Sequence, residues 1–294
     1  MSTFRFSFFS FILFVALLAS IIHSTLQGQQ TDFVKSSDGV KIAYQVSGSG
    51  EANLIFVHGW TCDKTYWKYQ APYFAKQYRV ITIDLAGHGE SGIDRKQWSV
   101  ELFSDDVSSV IHKLNLEKYI LIGHSLGGLV VLEVARRNLI QTQAVIGVDI
   151  YKNIPKKKSE EDLQKAFDKN AEMYTDFVKN MNASVPSFFT TASDSSLVAW
   201  VTKDMASNDP AAALGTSNSY LRWQNYEFLN ALQESRNVPV LAINSDRKIT
   251  DVDGFRKYHP SFQAVTMKGL GHFVMMENPE GFNKILQEFI LKLK

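Results

Sequence analysis

Apolar residues recur along the chain in short runs, each bounded by polar or turn-forming residues. Lys41 to Ser47 alternates polar and apolar positions, as a half-exposed strand does. Leu54-Ile55-Phe56-Val57 is continuously apolar and ends on His58-Gly59, the pattern of a strand buried on both faces of a parallel sheet. Arg79 to Ile83, Tyr119 to Ile122, Ala144 to Val148 and Val240 to Ile243 read the same way, and Ala264 to Met267 is the last such run. Helical periodicity lies between and after them, most clearly at Val100 to Leu114, Leu126 to Arg137 and Pro279 to Leu293. Alternating strands and helices predict an α/β fold: a mostly parallel central sheet with helices on both faces. Ligands in such sheets bind at the carboxyl ends of the strands, so chemistry is expected in the loops that follow the apolar runs.

One segment breaks the rhythm. Residues 151–236 carry no buried-strand pattern and read as helical. Ser159 with Asp162 resembles a capping box opening a helix toward Met181, and further helices are expected from Ser195 to Ala206 and from Ala211 to Leu232. The prediction is a helical cap, residues 151–236, inserted into a core built from residues 28–150 and 237–294. There is no internal repeat and no low-complexity linker.

The N-terminus stands apart from this pattern. Arg5 precedes an almost wholly apolar stretch from Phe6 to Ile22, and the chain turns polar from His23 to Gln30. This is the pattern of a secretory signal peptide, placed at residues 1–27, and it predicts export to the periplasm or beyond. The run exceeds the usual length, so residues 6–22 also read as an uncleaved anchor, and only in that case is a membrane an expected partner.

Charge and cysteine usage narrow the picture further. Thirty-one Lys and Arg against 30 Asp and Glu give a net charge of +1, which supplies no reason to expect nucleic acid. Lys156-Lys157-Lys158 reads as a solvated loop. Cys62 is the single cysteine, which rules out an internal disulfide and leaves an inert thiol. The seven His are scattered without ligand spacing, so neither a metal nor another cofactor is expected. Nothing in the pattern fixes an oligomeric state.

The strongest chemical signal is Gly123-His124-Ser125-Leu126-Gly127-Gly128, directly after the Tyr119–Ile122 run and before a helix. This is G-x-S-x-G in strand-turn-helix context, a turn that lifts a serine hydroxyl above the sheet. Glycine at Gly123 and Gly127 suits a turn too tight for side chains. The backbone N–H of Leu126 then faces a developing oxyanion. Serine at the turn points to nucleophilic catalysis on a small-molecule substrate.

Together with His58-Gly59-Trp60 after an earlier strand, this motif makes the chain resemble the α/β-hydrolase superfamily from about Phe33 to Lys294. The resemblance implies that the N–H of Trp60 joins that of Leu126 in an oxyanion hole and that His58 buttresses the loop. Asp84-Leu85-Ala86-Gly87-His88-Gly89-Glu90-Ser91 resembles the family's D-x-x-G-x-G-x-S segment, which packs near the site. Gly269-Leu270-Gly271-His272-Phe273 resembles the loop that carries the family's catalytic histidine, and the order Ser125 before His272 is that of the family.

The acid departs from the common pattern. Relatives usually carry it about five residues past the strand equivalent to Val240–Ile243, whereas Asp246 comes early and lacks the usual glycine. Asp149, directly after Ala144–Val148, occupies the position that a minority of relatives use. Both remain candidates, while Asp251 and Asp253 read as helix caps. The resemblance implies a serine hydrolase acting on an ester, and less commonly an amide, lactone or C–C bond, through an acyl-enzyme. A cofactor-free perhydrolase and a ligand-binding protein on a hydrolase scaffold are the competing readings. Phe188, Phe189, Trp200, Tyr220 and Trp223 make the cap aromatic, so an apolar pocket is expected if some of them face the site.

Overall fold

Alternate residues of each central strand go to opposite sides of the sheet, and this period of two organises the core. Ile55 and Val57 join one buried apolar cluster, with Leu121 and Val145. Leu54 and Phe56 join the other, with Ile120, Ile122 and Ile146. The computed structural model describes residues 30–293, so the N-terminal apolar run and the expected signal or anchor lie outside the described residues. No helix among the described residues is long and apolar enough to cross a membrane.

Eight strands form one sheet: β1 (Thr31–Lys35), β2 (Lys41–Ser47), β3 (Asn53–Val57), β4 (Arg79–Ile83), β5 (Tyr119–His124), β6 (Thr142–Val148), β7 (Val240–Ser245) and β8 (Gln263–Met267). Their order is β1-β2-β4-β3-β5-β6-β7-β8. β1 pairs antiparallel with β2, and β2 antiparallel with β4, while every later pairing is parallel. The expected mostly parallel sheet is therefore present, with β1 added at its edge.

Helices α1 (Val100–Lys113) and α2 (Leu126–Arg137) bury Phe103, Val107 and Leu129 to Leu132 in the first cluster. The C-terminal helix Pro279–Leu291 buries Phe282 and Leu286 in the second, on the opposite face. Ser99 caps α1, its Oγ accepting from the N–H of Leu102 at 3.1 Å.

Between β6 and β7 the chain is helical: α3 (Glu160–Tyr174), α4 (Phe177–Ser184), α5 (Ser195–Ala206), α6 (Pro210–Tyr226) and α7 (Phe228–Glu234). Ser159 opens α3 as expected, its Oγ accepting from the N–H of Asp162 at 3.1 Å. The single helix expected toward Met181 is two, broken at Thr175-Asp176, and the one expected from Ala211 to Leu232 breaks at Glu227. Asp251 caps the short helix Val252–Arg256 through the N–H of Gly254, whereas Asp253 lies inside its first turn.

Candidate active site

β5 ends at His124 and α2 begins at Leu126, which leaves Ser125 alone between them at φ 51° and ψ −116°. A non-glycine residue held there stores roughly 1–3 kcal/mol of strain. Two bonds fix it: the Ser125 N–H donates to the Val148 carbonyl at 2.9 Å, and the Gly128 N–H donates to the Ser125 carbonyl at 2.9 Å. Glycine is obligatory on both sides of the turn. A Cβ on Gly123 would lie 2.2 Å from the Gly127 oxygen, and one on Gly127 would lie 2.5 Å from the His58 oxygen. Ser125 is half-buried at the N-terminus of α2, where unpaired N–H groups and the helix dipole favour negative charge.

The residue after β6 is Asp149, which turns the chain at φ 49°. Its Oδ2 lies 2.6 Å from Nδ1 of His272. Its Oδ1 accepts from both the N–H and the hydroxyl of Ser245, each at 2.8 Å, and Nζ of Lys152 is 2.8 Å away. Burial alone would raise the Asp149 pKa. The hydrogen bond and charge of His272 and the ammonium of Lys152 outweigh it and hold the carboxyl well below the usual range. An ionised carboxylate only accepts, so Nδ1 of His272 carries the hydrogen and Nε2 is the nitrogen open to substrate.

His272 is anchored through its backbone. Its N–H donates to the Phe188 carbonyl at 2.7 Å, and its carbonyl accepts from Nε2 of His124 at 2.9 Å. Burial first, then the neighbouring His272, pull the His124 pKa down to about 3, so His124 is a neutral donor. The two rings stand 4.6 Å apart. The residue before Ser125 thus holds His272, and the residue before Asp149 holds Ser125.

Asp246 is not brought to His272. Exposed in the turn after β7, it accepts from the N–H of Gly269 at 3.0 Å and ties two loops together. The preceding residue explains why: Ser245, fully buried at the end of β7, points at Asp149, so Asp246 points out.

The loop after β3 completes the arrangement. The Trp60 indole N–H donates to the Ala213 carbonyl in α6 at 2.9 Å, and Asn208 Nδ2 donates to the Thr61 carbonyl at 3.0 Å. Thr61 itself sits at φ 52°. His58 is fully buried; burial lowers its pKa to about 4, and its Nε2 accepts from the Leu85 N–H at 3.0 Å. It thereby joins the loop after β3 to the one after β4. In that second loop Asp84 accepts from the backbone N–H and from Nζ of Lys64, each at 2.7 Å.

A model of the Alpha/beta hydrolase family matches residues 54–285. The chain belongs to that family. A provisionally named esterase/lipase of Haemophilus influenzae is 27% identical over 248 residues, which covers 81% of this chain and 83% of that protein. The dihydrolipoyllysine-residue acetyltransferase component of the acetoin cleaving system of Pseudomonas putida is 37% identical over 92 residues, 31% of this chain. This chain spans only 25% of the length of that relative. The structure of an enol-lactonase from Burkholderia xenovorans superposes with a TM-score of 0.75 at 18% identity, covering 88% of this chain and 100% of that one. That likeness is one of fold.

Within this alpha/beta hydrolase the aromatic residues of the insertion divide. The Phe188 ring stands 5.5 Å from that of His272, and Tyr220 lines a cavity that reaches His272. Phe189 stacks on Phe273, Trp223 packs edge-on against Phe228, and Trp200 lies against Tyr66. Three residues of the site, His124, Lys152 and Ser245, carry no signal in the sequence. His124 lies inside the serine motif at its variable position, and no local pattern distinguishes Lys152 or Ser245 from surface residues.

Proposed function

We propose that this protein is a serine hydrolase that cleaves a carboxylic ester of a small to medium substrate through an acyl-enzyme. The observation that carries the reading is the 2.6 Å bond between Asp149 and Nδ1 of His272, formed beside a serine held in a strained turn. In this reading Nε2 of His272 removes the Ser125 proton as Oγ attacks the ester carbonyl, and the C=O π electrons move onto oxygen. The N–H groups of Trp60 and Leu126 stabilise that oxyanion, each worth on the order of 3 kcal/mol of barrier. Collapse expels the alcohol, which takes the proton from His272. Water, deprotonated by the same nitrogen, then releases the acid and restores Ser125. Asp149 keeps the imidazole in the correct tautomer and stabilises the imidazolium.

The similarity to a protein provisionally named as an esterase/lipase, in Haemophilus influenzae, favours bonds of this class. The reading includes export by residues 1–27. It is tested by labelling with a fluorophosphonate and mapping the modified peptide. Modification at Ser125 that vanishes in Ser125→Ala supports it, and no labelling of a folded sample favours a ligand-binding role.

A further inference from the structure

A cavity of about 410 Å³ opens at the carboxyl ends of β6 and β7, and its inner end is formed by Asp149 and His272. Through His272 it adjoins the candidate active site, and ligands of parallel sheets lie at such strand ends. Two aromatic residues are part of its lining: Tyr151 and Phe228, both buried, with rings 6.0 Å apart. Its outer wall comes from α6, where Gln224 Nε2 donates to the Tyr220 hydroxyl at 3.2 Å.

The charge on this cavity is one-sided. Three cations line it, Lys152, Arg247 and Lys248, against a single carboxylate, Asp149. That carboxylate is already satisfied by Lys152 and by His272. Arg247 and Lys248, exposed in the turn after β7, have no carboxylate partner among the described residues and place two positive charges at the mouth. Two exposed cations on a concave wall attract an anion, and the aromatic pair offers a surface for a hydrocarbon that runs from it toward His272.

We propose that this cavity binds an anionic group of the substrate, so that the preferred ester carries a carboxylate or phosphate separated from the scissile bond by a short apolar spacer. This deepens the serine hydrolase reading and rests on it for the reaction, though not for the binding. Arg247 would meet the anion with its planar fork and Lys248 as a point charge.

The test compares monomethyl and dimethyl esters of succinate and of adipate, which differ by one charge at nearly constant shape. The expected result is a kcat/KM ratio, monoester over diester, well above one for at least one acid and falling as salt is raised. The double variant Arg247→Gln/Lys248→Gln should lower that ratio roughly three- to tenfold. A ratio at or below one, or a ratio the double variant leaves unchanged, overturns the proposal. Titrating monomethyl adipate into Ser125→Ala protein separates this idea from the catalytic one. Binding weakened by the double variant supports the anion site whatever turnover shows, and equal binding with and without the two cations rejects it. If neither ester is turned over while that binding is present, the hydrolase reading fails and the anion site stands.

Discussion

The indole N–H of Trp60 donates to the carbonyl of Ala213, 2.9 Å away and 153 residues further along the chain. The same carbonyl accepts from the Tyr174 hydroxyl at 3.2 Å. The residue whose backbone N–H is assigned to the oxyanion is therefore held by its own side chain to the insertion. Trp60→Phe keeps a ring and removes this donor. One neutral hydrogen bond contributes about 1 kcal/mol, and full loss of an oxyanion donor costs about 10²–10³ in rate. We expect kcat to fall between about five- and fiftyfold with a smaller change in KM. Steady-state kinetics showing an unchanged kcat would mean that the loop is set by its backbone alone.

Asp149 and Asp246 are separated by one substitution each. Asp149→Asn should lower kcat by about 10⁴, because an amide at that site lets the imidazole take the wrong tautomer. Asp246→Asn keeps an oxygen that accepts from the Gly269 N–H, removes only an exposed charge, and should cost less than about threefold. Comparable losses in both would contradict the assignment.

Lys152 bears on the carboxylate. Its ammonium, 2.8 Å from Asp149, helps to hold that carboxyl below the usual range. Lys152→Met should lower kcat roughly three- to tenfold, and Lys152→Arg should restore most of it. An unchanged kcat in the Met variant would show that His272 and Ser245 hold Asp149 without the ammonium.

Asp204 makes a prediction about stability. Burial, and then the nearby Asp63 and Asp84, raise its pKa to about 6, against the hydrogen bond from the Tyr66 hydroxyl at 2.8 Å. The unfolded chain ionises near pH 4, so between about pH 4 and pH 6 the folded state binds more protons and stability falls as pH rises. Asp204→Asn can still accept from Tyr66 and removes that loss. It should stabilise the protein by about 1 kcal/mol at pH 7, discounted for partial exposure, with the gain vanishing toward pH 4. Denaturant melts at both pH values decide it, and a gain independent of pH would assign the effect to packing.

The parallel strands were legible because each is an apolar run that cannot be placed elsewhere, and the serine turn because its two glycines leave no sterically allowed alternative. The edge strand Thr31–Lys35 was not, because its exposed alternation resembles a polar loop until Lys41–Ser47 pairs with it. Helix existence in the insertion was legible, but not its breaks at Thr175-Asp176 and Glu227, where packing rather than propensity ends the helix. The acid could not be chosen from sequence. Asp149 and Asp246 both follow buried strands, and the choice depends on which way Ser245 faces.

In sheet order β3, β5 and β8 carry Trp60, Ser125 and His272, with the serine strand between the other two. The insertion is fastened at both outer positions, at Ala213 to Trp60 and at Phe188 to the His272 N–H, 2.7 Å away. Tied to the loops on both sides of Ser125, it is held as a bridge on two piers, not as a flap on one hinge. Any movement of the span therefore pulls at once on the loops of Trp60 and His272, so under the proposed reaction the span could not lift without disturbing the groups on either side of Ser125.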